Sequence, residues 1–289
     1  MYKTLNEHYK EKFGSKIYKL SIDAGFTCPN RDGTCGTGGC IFCSNDGSGE
    51  FAISGSDIEA QLEKAKQKVK AKIKSGKYIA YFQSFTNTYA DVSTLKELFY
   101  AAIKPDYIVG LAVATRPDCL PEEVIKLLSE INKIKPVSIE LGLQTSNDKT
   151  AEFINRGYKT EVYFDAVKRL KQENLEVVTH IIIGLPFETE EDVLKTTSDA
   201  VNCGTDGVKF HLLYVLKNTK LEELYKRKEF ECLTLEEYAS ILKKCINLLP
   251  KNIVVHRITG DGAKRDLIAP LWSSDKKRVL NYLNKYLNS

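Results

Sequence analysis

EVYFDAVKRLKQENLEVVTHIIIG, residues 161–184, joins an amphipathic segment directly to an almost wholly apolar one. Residues 161–174 carry apolar side chains at helical spacing, which predicts a helix. Residues 175–184 are rich in β-branched side chains and predict a strand that is buried on both faces. The order then repeats, with a helix predicted over 190–204 and a strand over 207–215. Two buried strands joined by a helix are typical of a parallel sheet.

The same alternation extends toward the N-terminus. Strands are predicted over 16–23, 78–83, 107–115 and 137–143, and helices over 56–76, 93–103 and 121–134, the first with Ser56 as its N-cap. Strands that alternate with helices in this way indicate βα units and an α/β fold. Periodicity alone leaves two architectures open, a doubly wound open sheet and a barrel.

A polar stretch over 218–234 is the most plausible seam in the chain. After it, the pattern predicts a helix over 235–249, a strand over 252–258 and a helix over 274–287. We therefore expect a core over 1–215, including a lead-in over 1–15, and a C-terminal extension over 216–289 that contributes to substrate binding.

Composition places the chain among globular proteins. Of its 289 residues 43% are hydrophobic and 28% are charged, which suffices for a full core. We find neither a signal peptide nor an apolar run long enough to span a membrane, so we expect a cytoplasmic protein without a membrane partner. Structural disulfides are rare in the cytoplasm, so the eight cysteines point toward metal binding or redox chemistry.

The net charge of +4 is unevenly distributed. Residues 251–289 contain eight Lys or Arg and three Asp or Glu, so this segment contributes +5 of the total. A basic end of this kind is compatible with an RNA partner. The alternative interpretation is an ordinary solvated basic face.

The stretch CPNRDGTCGTGGCIFC, residues 28–43, contains four cysteines and follows the first predicted strand of the βα series. Its C-x2-C pair is a metal-ligand signal, and its glycines let the backbone wrap closely around a bulky group. The spacing leaves three interpretations open: an iron–sulfur cluster held by three thiolates, a zinc site, and reactive or structural thiols. A loop at the carboxyl end of a barrel strand is better explained as catalytic than as structural.

Seven blocks along the chain resemble the radical S-adenosylmethionine (radical SAM) enzymes. The resemblance is greatest to the bacterial YtqA/YhcC-like family, which is related to the radical SAM domain of the Elongator catalytic subunit. The blocks are FTCPNRDG…GGCIFCS (26–44), YFQSFTNTYA (81–90), ATRPDCL (114–120), ELGLQTSND (140–148), INRGY (154–158), HIIIGLPFET (180–189) and TGDG…IAPLW (259–272). The resemblance implies a partial parallel (β/α)6 TIM-like barrel with a short C-terminal α/β extension.

It also implies two cofactors, a [4Fe–4S] cluster and S-adenosylmethionine (SAM). In such enzymes the reduced cluster cleaves SAM and generates a 5′-deoxyadenosyl radical. By resemblance, the cluster ligands are Cys28, Cys40 and Cys43. Cys35 has no counterpart in the three-cysteine pattern, and we interpret it as a spare thiol.

Further SAM contacts are carried over from the same families by position. The strand-end segment containing Gln83, Ser84 and Thr86 corresponds to the one that meets the methionine amino group. Gln144 corresponds to a ribose contact, and Arg156 to a contact of the methionine carboxylate. Without the resemblance, Arg156 would be interpreted as a surface arginine at a helix end.

Two positions depart from the family pattern. His180 stands where relatives place a ribose-binding acid, and its alternative role is that of a satisfied histidine in the core. Ala114 stands where relatives often have Glu, and Thr115 or Arg116 is the candidate to replace that function.

The expected adenine contact is the backbone of Gly184 and Leu185. Glycine suits this close approach of a ligand to the main chain.

The Elongator relationship implies a tRNA substrate and chemistry at the wobble uridine, specifically the processing of a carboxymethylaminomethyl group. The residues that we assign to substrate binding are Lys209, His211, Tyr214, Arg257, Lys264, Arg265 and Trp272. Strand alternation predicts that Lys209 and His211 point to the same side of the sheet. Expected partners are a reductant such as flavodoxin or ferredoxin and a separate methyltransferase.

Two alternatives remain open at this point. The first is a radical SAM enzyme that acts on a small metabolite. The second is a zinc-containing RNA-binding protein without catalytic activity.

Overall fold

The computed structural model describes residues 2–44, 47, 49, 52–55, 57–72, 76–260 and 262–288. Its central feature is a curled sheet in which every neighbouring pair of strands is parallel. The strands lie in the order β1-β10-β8-β7-β6-β5-β4-β2-β3. The six that carry the βα repeats are β2 (Tyr18–Asp23), β4 (Tyr78–Phe82), β5 (Ile108–Thr115), β6 (Val137–Gln144), β7 (Glu176–Ile183) and β8 (Gly207–Leu212).

Helices follow these strands on the outer side of the sheet. They are α2 (Ile58–Val69), α3 (Val92–Ile103), α4 (Glu122–Asn132), α5 (Asp148–Phe153), α6 (Thr160–Gln172) and α7 (Glu190–Cys203). The apolar faces of α2, α3, α4, α6 and α7 and the outer face of the sheet share one large buried cluster, whereas Phe153 of α5 packs against a smaller one. The sheet stays open between its edge strands β1 (Lys3–Thr4) and β3 (Ile53–Ser54). The predicted partial parallel barrel is therefore confirmed.

Helix α1 (Leu5–Phe13) packs against the inner face of the sheet rather than the outer one. Thr4 and Glu7 form a capping box at its start, and Gly14 ends it with a left-handed φ of 72°. Its Tyr9 is buried in a small cluster with Tyr81 and Ala112 from the strands. The sequence assigned no helix to this segment because its mixed polar composition gives a weak periodic signal.

The residues after β8 form the C-terminal part of the fold. They contain β9 (Val215–Leu216), α8 (Lys220–Lys226), α9 (Leu235–Asn247), β10 (Val254–Arg257), β11 (Leu267–Ala269) and α10 (Lys276–Asn288). Strand β10 pairs in parallel with β8, with Val254 opposite Gly207. The strand predicted over 252–258 therefore extends the main sheet. The division of the chain at residue 215 remains a prediction.

Two further details concern the helices. The predicted cap Ser56 lies outside the described residues, and in the structure Asp57 caps α2 by accepting a hydrogen bond from the Glu59 amide at 2.9 Å. Within the described part of the chain, no helix has the length and apolarity required to cross a membrane.

Candidate active site

A cavity with an empty volume of about 790 Å³ opens at the carboxyl ends of the parallel strands. This size lies within the range of about 300–1,000 Å³ that is usual for small-molecule and cofactor sites. Its walls come from the cysteine loop after β2 and from the ends of β4 to β7. The sequence-predicted residues that line it are Cys28, Cys40, Cys43, Gln83, Thr86, Thr115, Arg116, Gln144, Arg156 and His180.

The cysteine loop brings three thiols to this cavity. Cys28, Cys40 and Cys43 line it, and the tight turn from Cys40 to Cys43 is closed by a backbone hydrogen bond of 2.9 Å. Cys35 instead lines a neighbouring groove and is exposed. All these thiols are free of disulfides. Cys35 thus lines a different cavity from the three predicted cluster ligands, and the Arg116 guanidinium lies between them, 3.9 Å from the Cys28 sulfur and 3.6 Å from the Cys35 sulfur.

Hydrogen-bond donors surround two of the three thiols. The Arg116 guanidinium lies 3.9 Å from the Cys28 sulfur, and the Asn30 side-chain amide lies 3.9 Å from the Cys40 sulfur. Burial raises the pKa of Cys40 to about 12, so this thiol is protonated at pH 7 unless a metal or cluster binds the sulfur and displaces the proton. A thiolate set of this kind, with donors aimed at sulfur, fits an iron–sulfur cluster.

No group of three or more His, Cys, Asp or Glu side chains in the described ranges is arranged to hold a single metal ion. The three thiols that line the cavity would therefore suit an iron–sulfur cluster better than a single ion.

The turn after β4 forms the second wall. Gln83 and Thr86 line the cavity, and Phe85 between them adopts a left-handed φ of 57°. Ser84 is buried, and its hydroxyl has no hydrogen-bond partner among the described residues. The Asn87 amide holds this turn in place by donating to the Ala114 carbonyl at 2.8 Å.

Thr115 and Arg116 are the two candidates to replace the Glu that relatives often have where Ala114 stands, and both line the cavity. The Thr115 hydroxyl is hydrogen bonded to the Thr88 hydroxyl at 2.5 Å. Arg116 forms an ion pair with Asp118 at 2.6 Å and donates to the Arg156 carbonyl at 2.9 Å. The choice between Thr115 and Arg116 therefore stays open.

Arg156 is buried, with 1% of its surface exposed, so the interpretation as a surface arginine is wrong. Its guanidinium donates to the carbonyls of Leu143 at 2.7 Å and Thr145 at 2.6 Å, and to that of Tyr158 at 2.8 Å. These contacts tie the end of β6 to the INRGY segment. The residue thus has a clear structural role, and its contact with the SAM carboxylate remains a prediction.

Gln144 ends β6 in a left-handed conformation with φ 62°. Its side-chain oxygen accepts a hydrogen bond from the Tyr158 hydroxyl at 3.2 Å. This contact and the backbone conformation fix the amide at the cavity wall, where the predicted ribose contact would require it.

The floor of the cavity contains Glu140, which the sequence analysis did not assign to the site. Its side chain is fully buried and accepts hydrogen bonds from Tyr81 at 2.7 Å, His180 at 2.8 Å and Lys209 at 2.6 Å, and from Lys19. Burial raises the pKa of Glu140, but the charges of Lys19 and Lys209 outweigh that effect and hold it well below its ordinary value. The available signal was a single acid within the apolar strand VSIELGL.

His180 is part of this network and also lines the cavity. Burial, assisted by the charge of Lys209, lowers the pKa of His180 to about 4, so the imidazole is neutral at pH 7. His180 is therefore a hydrogen-bonded interior residue, and its contact with the SAM ribose remains a prediction.

A second cavity, with an empty volume of about 610 Å³, adjoins the first and shares Cys43, Gln144 and His180 with it. The predicted substrate residues His211 and Tyr214 line this second cavity. Lys209 and His211 lie on the same face of β8, as strand alternation predicts. They face the barrel interior, since Lys209 bonds Glu140.

Five other predicted residues do not line either of these two cavities. Gly184 is left-handed with φ 94°, and Leu185 is buried in a cluster beside the cysteine loop. Lys264 is exposed, and Arg265 pairs with Asp266 at 2.9 Å. Trp272 packs against Tyr238 and donates to the Leu233 carbonyl at 3.0 Å, so its indole is part of the C-terminal packing.

Comparison with known proteins supports the same family. The model of the radical SAM superfamily matches residues 31–200, and the model of the radical SAM C-terminal domain matches residues 205–289. The chain is 42% identical over 289 residues to the uncharacterized protein YtqA of Bacillus subtilis, covering 100% of this chain and 90% of YtqA.

Two further similarities are partial. A tRNA uridine(34) acetyltransferase of Methanocaldococcus jannaschii is 30% identical over 156 residues, which is 53% of this chain and 28% of that protein. The solved structure of the archaeal Elp3 from Methanocaldococcus infernus, with N-terminus deletion (1-46), has a TM-score of 0.69 at 18% identity. That match covers 93% of this chain and 63% of the archaeal one, and it establishes the fold alone.

The cofactors expected from the sequence, a [4Fe–4S] cluster and SAM, are those of the superfamily. With its full-length similarity to YtqA and its match to the superfamily model, this chain belongs to the radical SAM superfamily and, within it, to the YtqA/YhcC-like family.

Proposed function

We propose that this radical SAM enzyme modifies tRNA at the wobble uridine by processing a carboxymethylaminomethyl group. The observation that carries the radical SAM site is the cavity at the strand ends, where Cys28, Cys40 and Cys43 meet. The tRNA substrate is supported by the partial similarity to a tRNA uridine(34) acetyltransferase and by the basic C-terminal segment.

The three cysteines would hold the cluster, with Arg116 and Asn30 donating toward their sulfurs. When bound, the cluster and SAM supply one-electron reductive chemistry. The protein contributes binding, orientation and exclusion of water, and the buried walls of the cavity suit the last of these tasks.

Several residues would orient SAM. Gln83 and Thr86 of the turn after β4 line the cavity, and the buried Ser84 hydroxyl beside them has no hydrogen-bond partner among the described residues. Gln144 and His180 lie at the shared wall of the two cavities, where a ribose would be placed between them. The backbone of Gly184 and Leu185 is the proposed adenine contact.

Arg156 would hold the end of β6 and the INRGY segment together beside the proposed SAM site. Its guanidinium nitrogens already donate to protein carbonyls, so a carboxylate contact would have to share them.

Residues 216–289 form the proposed substrate-binding extension, and Arg257, Lys264 and Arg265 are its candidate phosphate contacts. The proposed setting is the cytoplasm. There a flavodoxin or ferredoxin would supply the electron, and a separate methyltransferase would complete the modification.

The test is anaerobic reconstitution followed by electron paramagnetic resonance of the dithionite-reduced protein, with and without SAM. We expect a [4Fe–4S]⁺ signal that changes on SAM addition in the wild type and in Cys35→Ser, and no such signal in Cys43→Ser. Stoichiometric zinc without iron would refute the cluster. Separately, tRNA lacking its native modifications and tRNA carrying the carboxymethylaminomethyl group are compared as stimulants of SAM cleavage, and stimulation by neither would refute the tRNA substrate.

A further inference from the structure

The barrel interior beside β10 holds more positive than negative charge. Lys19, Lys209 and Arg257 carry three positive charges, and Glu140 carries one negative charge that is paired with the two lysines. Burial lowers the pKa of His211 well below its usual range, and the positive groups around it act in the same direction. This region of the described structure thus carries a net charge of about +2 at pH 7, an unfavourable arrangement unless an anion joins it.

The charge of Glu140 is already included in this sum, and its oxygens are occupied by other donors, so Glu140 offers no acceptor to Arg257. Its oxygens accept from Lys19, Lys209, Tyr81 and His180. Arg257, by contrast, has no hydrogen-bond acceptor and no ion-pair partner anywhere in the described part of the chain.

Arg257 lies directly beside Lys209, because the two residues are paired across β10 and β8 at a bulge. It lines a groove with an empty volume of about 1,180 Å³ at the seam between β2 and β10. Lys16 and Lys276 line the same groove, and none of the described lining residues is acidic. An anionic group could therefore approach Arg257 from solvent without meeting a like charge.

His211 adds an unused polar atom on the other side of Arg257. Its Nε2 is buried and has no hydrogen-bond partner among the described residues. Lys209 lies two residues before His211 on the same face of β8 and is the cross-strand neighbour of Arg257, and the charge of Arg257 acts on both side chains. Gly260 covers the ring closely, since a Cβ at that position would lie 3.5 Å from His211 Nδ1.

We propose that Arg257, Lys209 and His211 form a subsite for an oxyanion carried by the substrate, either a carboxylate or a phosphate. The planar fork of arginine binds such groups through two hydrogen bonds, and a neutral imidazole can donate a third. The anion would offset the surplus charge of the interior. That the oxyanion belongs to RNA rests on the proposed function, whereas the subsite itself rests on the geometry above.

The test measures binding of three anticodon stem-loop RNAs by fluorescence anisotropy. They carry 5-carboxymethylaminomethyluridine, 5-aminomethyluridine or unmodified uridine at the wobble position. The proteins are the wild type, Arg257→Gln, the charge-conserving Arg257→Lys, and Lys133→Gln, which removes one exposed charge from the end of α4.

For a carboxylate, the wild type should prefer the carboxymethylaminomethyl RNA by about tenfold or more, the effect of one charge-assisted contact. Arg257→Gln should lose that preference, and Arg257→Lys should restore part of it. For a phosphate, the wild type should bind all three RNAs alike, and Arg257→Gln should weaken them all more than Lys133→Gln does. Equal binding by Arg257→Gln and Lys133→Gln would overturn the subsite.

A second measurement separates this inference from the RNA proposal. Thermal unfolding is followed in potassium acetate, phosphate and chloride at matched ionic strength. Acetate or phosphate should raise the midpoint of the wild type more than that of Arg257→Gln, by the linkage of anion binding to folding. If no RNA binds but this difference appears, the tRNA substrate is wrong and the subsite stands; if it is absent as well, both are wrong.

Discussion

The two ends of the cofactor cavity are built in opposite ways. The cysteine end is a glycine-rich loop of turns, in which the Cys28 and Cys40 sulfurs make long contacts of 3.9 Å with Arg116 and Asn30. The floor is made of strands and holds Glu140 in a network of short hydrogen bonds. The thiols of the first region have few polar partners, whereas Glu140 in the second region is fully paired with protein side chains.

The largest expected effect would break the cysteine end. Cys40→Ser removes one of three thiolates, so we expect loss of the cluster, measured as iron and sulfide per chain after reconstitution, and loss of SAM cleavage. The unfolding midpoint of the cluster-free protein should stay near that of the wild type, since serine is close to cysteine in size and shape. Full iron content in Cys40→Ser would contradict the ligand assignment, and Cys203→Ser serves as the control on a distant helix.

The second largest effect is expected from disrupting the Glu140 network in the floor of the cavity. Glu140→Gln leaves Lys19 and Lys209 buried without a counter-charge, and we expect unfolding to become easier by about 3–5 kcal/mol, the usual cost of removing one partner of a buried ion pair. Denaturant unfolding of the cluster-free protein measures it. A decrease of less than about 1 kcal/mol in the free energy of unfolding would contradict a strongly stabilising ion-pair network around Glu140.

A smaller effect concerns Arg156, which lies between the two regions. Arg156→Lys keeps the charge but cannot reproduce the contacts to Leu143, Thr145 and Tyr158. We expect a loss of about 1.5–3 kcal/mol without any SAM present. Unchanged stability together with weakened SAM binding in an isotherm would instead favour a direct carboxylate contact.

The smallest expected effect is a change in how steeply the stability of the protein depends on pH. The pKa of His180 is lowered from 6.5 to about 4 in the folded protein, so the unfolded chain binds more protons between these values. Stability should fall as the pH drops from about 6.5 to 4, and His180→Asn should flatten this part of the curve. Unfolding midpoints measured over this pH range check it, and a parallel curve for the variant would mean that His180 titrates normally.

The sequence predicted the βα order well because buried parallel strands leave a strong apolar signal, as in residues 175–184. It predicted the convergence of Cys28, Cys40 and Cys43 through family resemblance, since spacing alone left zinc open. It missed Glu140 because a single acid in a strand becomes informative only when Lys19, from a distant strand, is seen to meet it. It also missed the burial of Arg156, which depends on carbonyls that the strand end presents.

Strand β10 has a consequence for synthesis of the chain. Lys3 and Thr4 form their strand only by pairing with Val254 and Val255, residues from the opposite end of the sequence. During translation Lys3 and Thr4 therefore lack their strand partner until Val254 and Val255 have left the ribosome, and contacts of such large sequence separation form slowly. A truncation before residue 254 would accordingly remove β10 and leave β1 unpaired as well.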